Sequence, residues 1–218
     1  MAGAGVVGLS AIRKAARVPH PKSPRALVLA LVLAAALPAP AFAHEGTGLA
    51  GGFAAGFVHP LTGFDHMLAM IAVGLWGAYL GRPLVAALPV IFPSLMALGA
   101  LLGMAGAPLP PVEAGIALSV LVLGLAITFA FKPPNWLACV IVGIFGLFHG
   151  YAHGRELPSA ADPVGYSAGF VLSTGFLHIG GVGLGVLKER PWGARLITGA
   201  GALIACSGVF FMTRLVWK

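Results

Sequence analysis

Six long apolar runs, separated by breaks that carry proline and charge, set what this chain can fold into. They cover residues 63–81, 84–105, 112–131, 135–153, 164–187 and 194–216, and Arg82-Pro83, Pro108 to Pro111, Lys132-Pro133-Pro134, Pro158 to Pro163 and Arg190-Pro191 lie between them. Proline removes a backbone donor and blocks helix continuation, so it belongs at the ends of such runs. Inside lipid every backbone N–H and C=O must be satisfied within the protein, and runs this long without alternation suit helices rather than barrel strands. The expected fold is therefore all-α: a polytopic membrane helical bundle of about six transmembrane helices. A seventh apolar stretch, Leu49–Val58, ends at His59-Pro60 and is too short to span. It predicts a re-entrant or interfacial half-helix, held close by small residues at Gly48, Gly52 and Gly56.

Composition supports the same class. Of the 218 residues, 59% are hydrophobic and 9% charged, against about 25% charged in an ordinary soluble domain. The net charge of +7 comes mainly from the beginning of the chain: Arg13, Lys14, Arg17, Lys22 and Arg25 precede the first acid. No basic patch remains for nucleic acid. Those basic residues, the apolar stretch Ala26 to Leu37 and the small-x-small triplet Ala41-Phe42-Ala43 read as a signal peptide over residues 1–43, leaving 44–218 as the integral membrane domain. Cleavage after Ala43 makes His44 the mature N-terminus, where an α-amine beside an imidazole chelates transition metals. Cys139 and Cys206 lack metal or redox spacing and read as small core hydrophobes.

With the mature N-terminus periplasmic, cytoplasmic loops hold Arg82, Lys132, Lys188, Arg190 and Arg195, and the outer side holds Arg155, Arg214 and Lys218. The positive-inside rule favours that orientation.

Against this apolar background, ionisable residues need a reason, because each costs at least ~2.5 kcal/mol at a span centre. They fall in three groups. His59-Pro-Leu-Thr-Gly-Phe-Asp65-His66 straddles a chain break that brings its two sides together. His149-Gly-Tyr-Ala-His153-Gly-Arg-Glu156 places two histidines at i and i+4 on one helix face, a spacing suited to bidentate metal coordination, with Glu156 one turn on. Thr174 and His178 repeat the i, i+4 spacing deeper in the fifth span. Together, His44, His59, Asp65, His66, His149, His153, Glu156 and His178 form the candidate metal set. Imidazole with carboxylate suits Ni²⁺, Co²⁺, Zn²⁺ or Cu²⁺ better than Mg²⁺ or Ca²⁺.

The stretch HPLTGFDHMLAMIAVGLWGAYL resembles the signature of the HupE/UreJ family of small bacterial membrane proteins, and FGLFHGYAHGRELP and STGFLHIGG resemble that family's second and third blocks. The resemblance implies a secondary nickel permease of the bacterial inner membrane that supplies a hydrogenase or urease. It carries the family's motif residues to His59, Asp65, His66, His149, His153 and Glu156, with His44 near the mature start. It is the resemblance, and not the spacing, that singles out nickel.

The leading expectation is thus a facilitator that imports a divalent transition metal, with the ion as cargo and no tightly bound cofactor. The chain has no GxxxxGK[ST] motif for ATP. Import is then downhill, ion-coupled or driven by the membrane potential, which supplies about 4.6 kcal/mol per 100 mV for a divalent cation. Expected partners are the metal ion, the bilayer and a second copy of the chain in a homo-oligomer. Two other readings are a zinc-dependent intramembrane hydrolase using the same cluster, with Asp65 or Glu156 as general base, and a metal-binding assembly partner that moves nothing.

Overall fold

The apolar runs wind into helices because a backbone in hydrocarbon finds hydrogen-bond partners only within itself. The computed structural model describes residues 49–109, 111–156 and 162–217, without the side chains of Leu49, Ala50 and Glu156. Among these residues there are seven α-helices and no strand: α1 (Leu49–Thr62), α2 (Phe64–Leu80), α3 (Leu84–Met104), α4 (Val112–Thr128), α5 (Asn135–Glu156), α6 (Pro163–Val186) and α7 (Gly193–Val216). A 3₁₀ turn at Leu187–Glu189 leads out of α6. The expected signal peptide and His44 lie outside the described residues.

Four helices, α3, α5, α6 and α7, are long and apolar enough to cross a membrane, and α1 with α2 qualifies as one broken span bent by 78°. Helix α4 is apolar but, at 17 residues, shorter than a full span, and it ends three residues before the limit expected from sequence. The half-helix needs a larger correction. Helix α1 continues through His59 and Pro60 to Thr62, and the break falls at Gly63 alone. Pro60 sits in the last turn of α1, where Thr62 and the main-chain N–H of Gly63 both bond the His59 carbonyl. The chain then turns at Gly63, whose extended backbone precedes α2. His59 is therefore a helical residue, fixed in direction, and not part of a loose linker.

Glycine sets how closely the helices meet. A Cβ at Gly99 or Gly103 of α3 would strike the backbone of α5, and one at Gly146, Gly150 or Gly154 of α5 would strike α3. Gly56 of α1 lies against the Tyr166 carbonyl of α6, Gly74 of α2 against the His178 carbonyl, and Gly124 of α4 against Ala205 of α7. Three close pairings follow: α3 with α5, α4 with α7, and the bent α1–α2 unit with α6. Membrane helices lack a hydrophobic force between them, so close backbone approach supplies the dispersion contact that holds them. The glycine stripes at 146/150/154 and 181/185 are thus accounted for by packing.

Helix α2 runs through the middle of the bundle, with Ala69, Met70, Ala72, Val73 and Trp76 fully buried. Its far end is held by Lys188, whose Nζ donates to the carbonyls of Ala78 (2.7 Å) and Tyr79 (3.2 Å), a cation placed on the negative end of the helix dipole. The Trp76 indole donates to Phe131 O at 3.2 Å. Of the two cysteines read as core residues, Cys139 is only half-buried and Cys206 is exposed on the outside of the bundle.

Candidate metal centre

The first turn of α2 carries Asp65 and His66 into the interior because Gly63 redirects the chain there. Asp65 Oδ1 accepts the main-chain N–H of His66 at 2.8 Å and lies 2.7 Å from its Nδ1. An ionised carboxylate is acceptor-only, so Nδ1 bears the proton and Nε2 is left with its lone pair. That Nε2 is buried with no hydrogen-bond partner. A carboxylate holding the far nitrogen of a histidine is the usual way in which a metal-binding imidazole is oriented.

His66 is the centre of an imidazole cluster. Its ring lies 6.0 Å from that of His59, 4.8 Å from His149 and 4.6 Å from His153, centroid to centroid, and His59 and His153 are 4.8 Å apart. The rings come from three elements: His59 from the end of α1, His66 from the start of α2, and His149 and His153 from one face of α5. The two sequence groups expected near the outer side therefore form a single site. His149 is fully buried and His153 nearly so. The rings meet mostly edge to face, an arrangement that aromatic groups favour. Among the described residues, no three His, Cys, Asp or Glu side chains are placed to hold one ion jointly.

A cavity of about 580 Å³ leads to this cluster, between the beginnings of α2 and α4 and the ends of α5 and α7. Asp65 and His66 line it together with Glu113, Tyr151, Arg155 and Arg214. His66 thus borders the cavity and also touches the buried rings. Glu156 ends α5 beside this region, but its side chain lies outside the described residues.

His178 stands apart from the cluster. Phe92, fully buried, lies between, with its ring 5.4 Å from His149 and 5.6 Å from His178. The His178 ring faces the Pro89 carbonyl. That carbonyl would normally accept the N–H four residues on, but residue 93 is also proline and has none. His178 Nε2, Ser173 Oγ and Thr174 Oγ1 are buried without partners. The i, i+4 pairing of Thr174 with His178 therefore lies on a buried stretch of α6, on the far side of Phe92 from the cluster.

Sequence reasoning passed over four participants: Ser119, Phe92, Glu113 and the Pro89/Pro93 pair. Two carried a visible signal. Ser119 is a lone hydroxyl in the apolar run of α4, and prolines four apart inside a span leave a carbonyl to be claimed.

Comparison with known proteins identifies the family that the sequence resembles. The family model described as HupE / UreJ protein matches residues 30–211. Protein HupE of Rhizobium leguminosarum bv. viciae is 45% identical over 175 residues, covering 80% of this chain and 92% of its own. No solved structure matches.

Proposed function

Since the chain belongs to the HupE/UreJ family and is a multi-pass membrane protein, we propose that it is a secondary permease importing a divalent transition metal, Ni²⁺ first, across the bacterial inner membrane. The observation that carries this reading is the imidazole cluster with His66 at its centre and the cavity beside it, a largely apolar pocket that holds Asp65, Glu113, Arg155 and Arg214. Neutral imidazole nitrogens bind Ni²⁺ well, and two of them, His66 Nε2 and His149 Nδ1, are buried without a partner. Asp65 and Glu113 offer carboxylate oxygens at the cavity, which Arg155 and Arg214 also line. His66 then hands the ion to His149 and His153, and His178 receives it beyond Phe92. His44 and Glu156 add outer ligands in this scheme. The cargo supplies a nickel enzyme such as hydrogenase or urease.

In this reading α2 to α7 each cross once, with the short α4 completed by the residues that follow it. The cavity faces the periplasm, and Arg82, Lys132, Lys188, Arg190 and Arg195 face the cytoplasm. The orientation is testable with single cysteines in a Cys139→Ala, Cys206→Ser background. A cysteine replacing Ala107 should react with an impermeant thiol reagent on intact spheroplasts, and one replacing Phe131 only after lysis. The reverse pattern overturns the orientation.

The decisive measurement is metal flux into liposomes holding the purified protein, with nickel, cobalt, zinc and copper compared under an imposed potential. Nickel should enter without ATP and accelerate with an inside-negative potential. The hydrolase reading is not favoured by the family. It would regain ground only from stoichiometric zinc retained through chelator washing together with absent flux.

A further inference from the structure

Helix α4 contributes one buried hydroxyl to the site, and its geometry fixes which nitrogen of His149 is available. Ser119 Oγ lies 2.6 Å from the Ile116 carbonyl oxygen and 2.9 Å from His149 Nε2. Both residues are fully buried. Two oxygens 2.6 Å apart need a proton between them, and a carbonyl has none, so the single serine proton lies on the Ile116 side. Ser119 Oγ is then an acceptor towards the ring, and the hydrogen at 2.9 Å belongs to His149 Nε2. A neutral imidazole has one N–H, which leaves Nδ1 with its lone pair. That atom is buried and has no hydrogen-bond partner.

The same logic holds for His66 with the nitrogens exchanged, since Asp65 takes Nδ1–H and leaves Nε2 bare. Two rings 4.8 Å apart thus each have their N–H held by a separate acceptor, Asp65 for His66 and Ser119 for His149, and one nitrogen left open. We propose that Ser119 is a positioning residue: it holds His149 in the Nε2–H tautomer so that Nδ1 meets the cation together with His66 Nε2. Ser119 itself does not touch the ion. The proposal rests on the cluster being the binding site of the transport reading.

The test uses the purified full chain in detergent, with Ser119→Ala, Ser119→Thr and wild type compared. Two readouts are taken: the Kd for Ni²⁺ by calorimetry, and the ¹⁵N resonances of the histidine rings, with those of His149 identified by their loss in His149→Ala. In wild type without metal, His149 should carry its proton on Nε2. Ser119→Ala should weaken nickel binding roughly 10–100-fold, the range seen when a group orienting a metal-bound histidine is lost. It should also give a mixture of His149 tautomers, with the His66 resonances unchanged. Ser119→Thr, which keeps the hydroxyl, should restore both.

A wild-type ring protonated on Nδ1 overturns the proposal, and this outcome needs no variant to fold. An alanine variant with wild-type Kd and tautomer also overturns it. If liposomes pass no nickel yet Ser119→Ala still shifts Kd and tautomer, transport fails and the positioning role stands. Normal flux with both readouts unmoved has the opposite meaning.

Discussion

His66→Ala should abolish nickel uptake, with the rate falling roughly 100-fold or more, beyond the 10–100-fold expected for loss of an orienting neighbour alone. The size of the effect follows from position. Among the described residues, His66 is the one imidazole in ring contact with His59, His149 and His153, and it also lines the cavity. Removing it leaves the cavity and the buried rings without a nitrogen between them, since neither His59, His149 nor His153 lines the cavity. Asp65→Ala should give the smaller loss of about 10–100-fold, because the ring remains but its tautomer is no longer held. Asp65→Asn, which keeps an acceptor oxygen, should fall less than Asp65→Ala. The measurement is initial uptake of radioactive nickel by cells at matched protein levels. Wild-type uptake by His66→Ala would remove the cluster from the transport path.

The second large effect concerns stability. Gly150→Ala places a methyl group against the Met96 carbonyl oxygen of α3, closer than atoms pack. A backbone carbonyl in a helix cannot move aside as the end of a flexible side chain can, so α3 and α5 must separate. Forcing extra volume into a packed interior costs about 1–3 kcal/mol. The change also gains ~1 kcal/mol of helix propensity, so the net sign depends on the close contact. Gly199→Ala is the matched control, since a Cβ there meets nothing within 4 Å. In detergent, thermal unfolding should be lowered by several degrees in Gly150→Ala and be unchanged or raised in Gly199→Ala. Equal melting of the two variants would show that the α3–α5 approach does not limit stability. His149, adjacent to Gly150, makes nickel binding a second readout of the same displacement.

Much of the architecture was legible because lipid leaves a backbone little choice. The apolar runs and the breaks between them locate α3, α5, α6 and α7 to within a few residues, since a backbone in hydrocarbon must stay helical, and α3 does so through Pro89 and Pro93. The bend was harder to place. Pro60 and Gly63 both mark a break in the sequence, yet in the last turn of a helix the missing N–H of Pro60 costs little, and the chain turns at Gly63, where an extended residue carries no side chain.

The sequence by itself determined the class of the protein, its motif histidines and their chemistry: imidazoles kept in an apolar chain despite their cost, in a pattern that resembles one family. Only the tertiary structure decided that His59, His66, His149 and His153 are one cluster while His178 stands behind Phe92. It also decided which ring Asp65, Ser119 and the Pro89 carbonyl each face. Spacing along a helix tells which side chains share a face. For His66 the neighbouring Asp65 decides which nitrogen keeps its lone pair, but for His149 that depends on Ser119, brought from another helix, and no local pattern carries that.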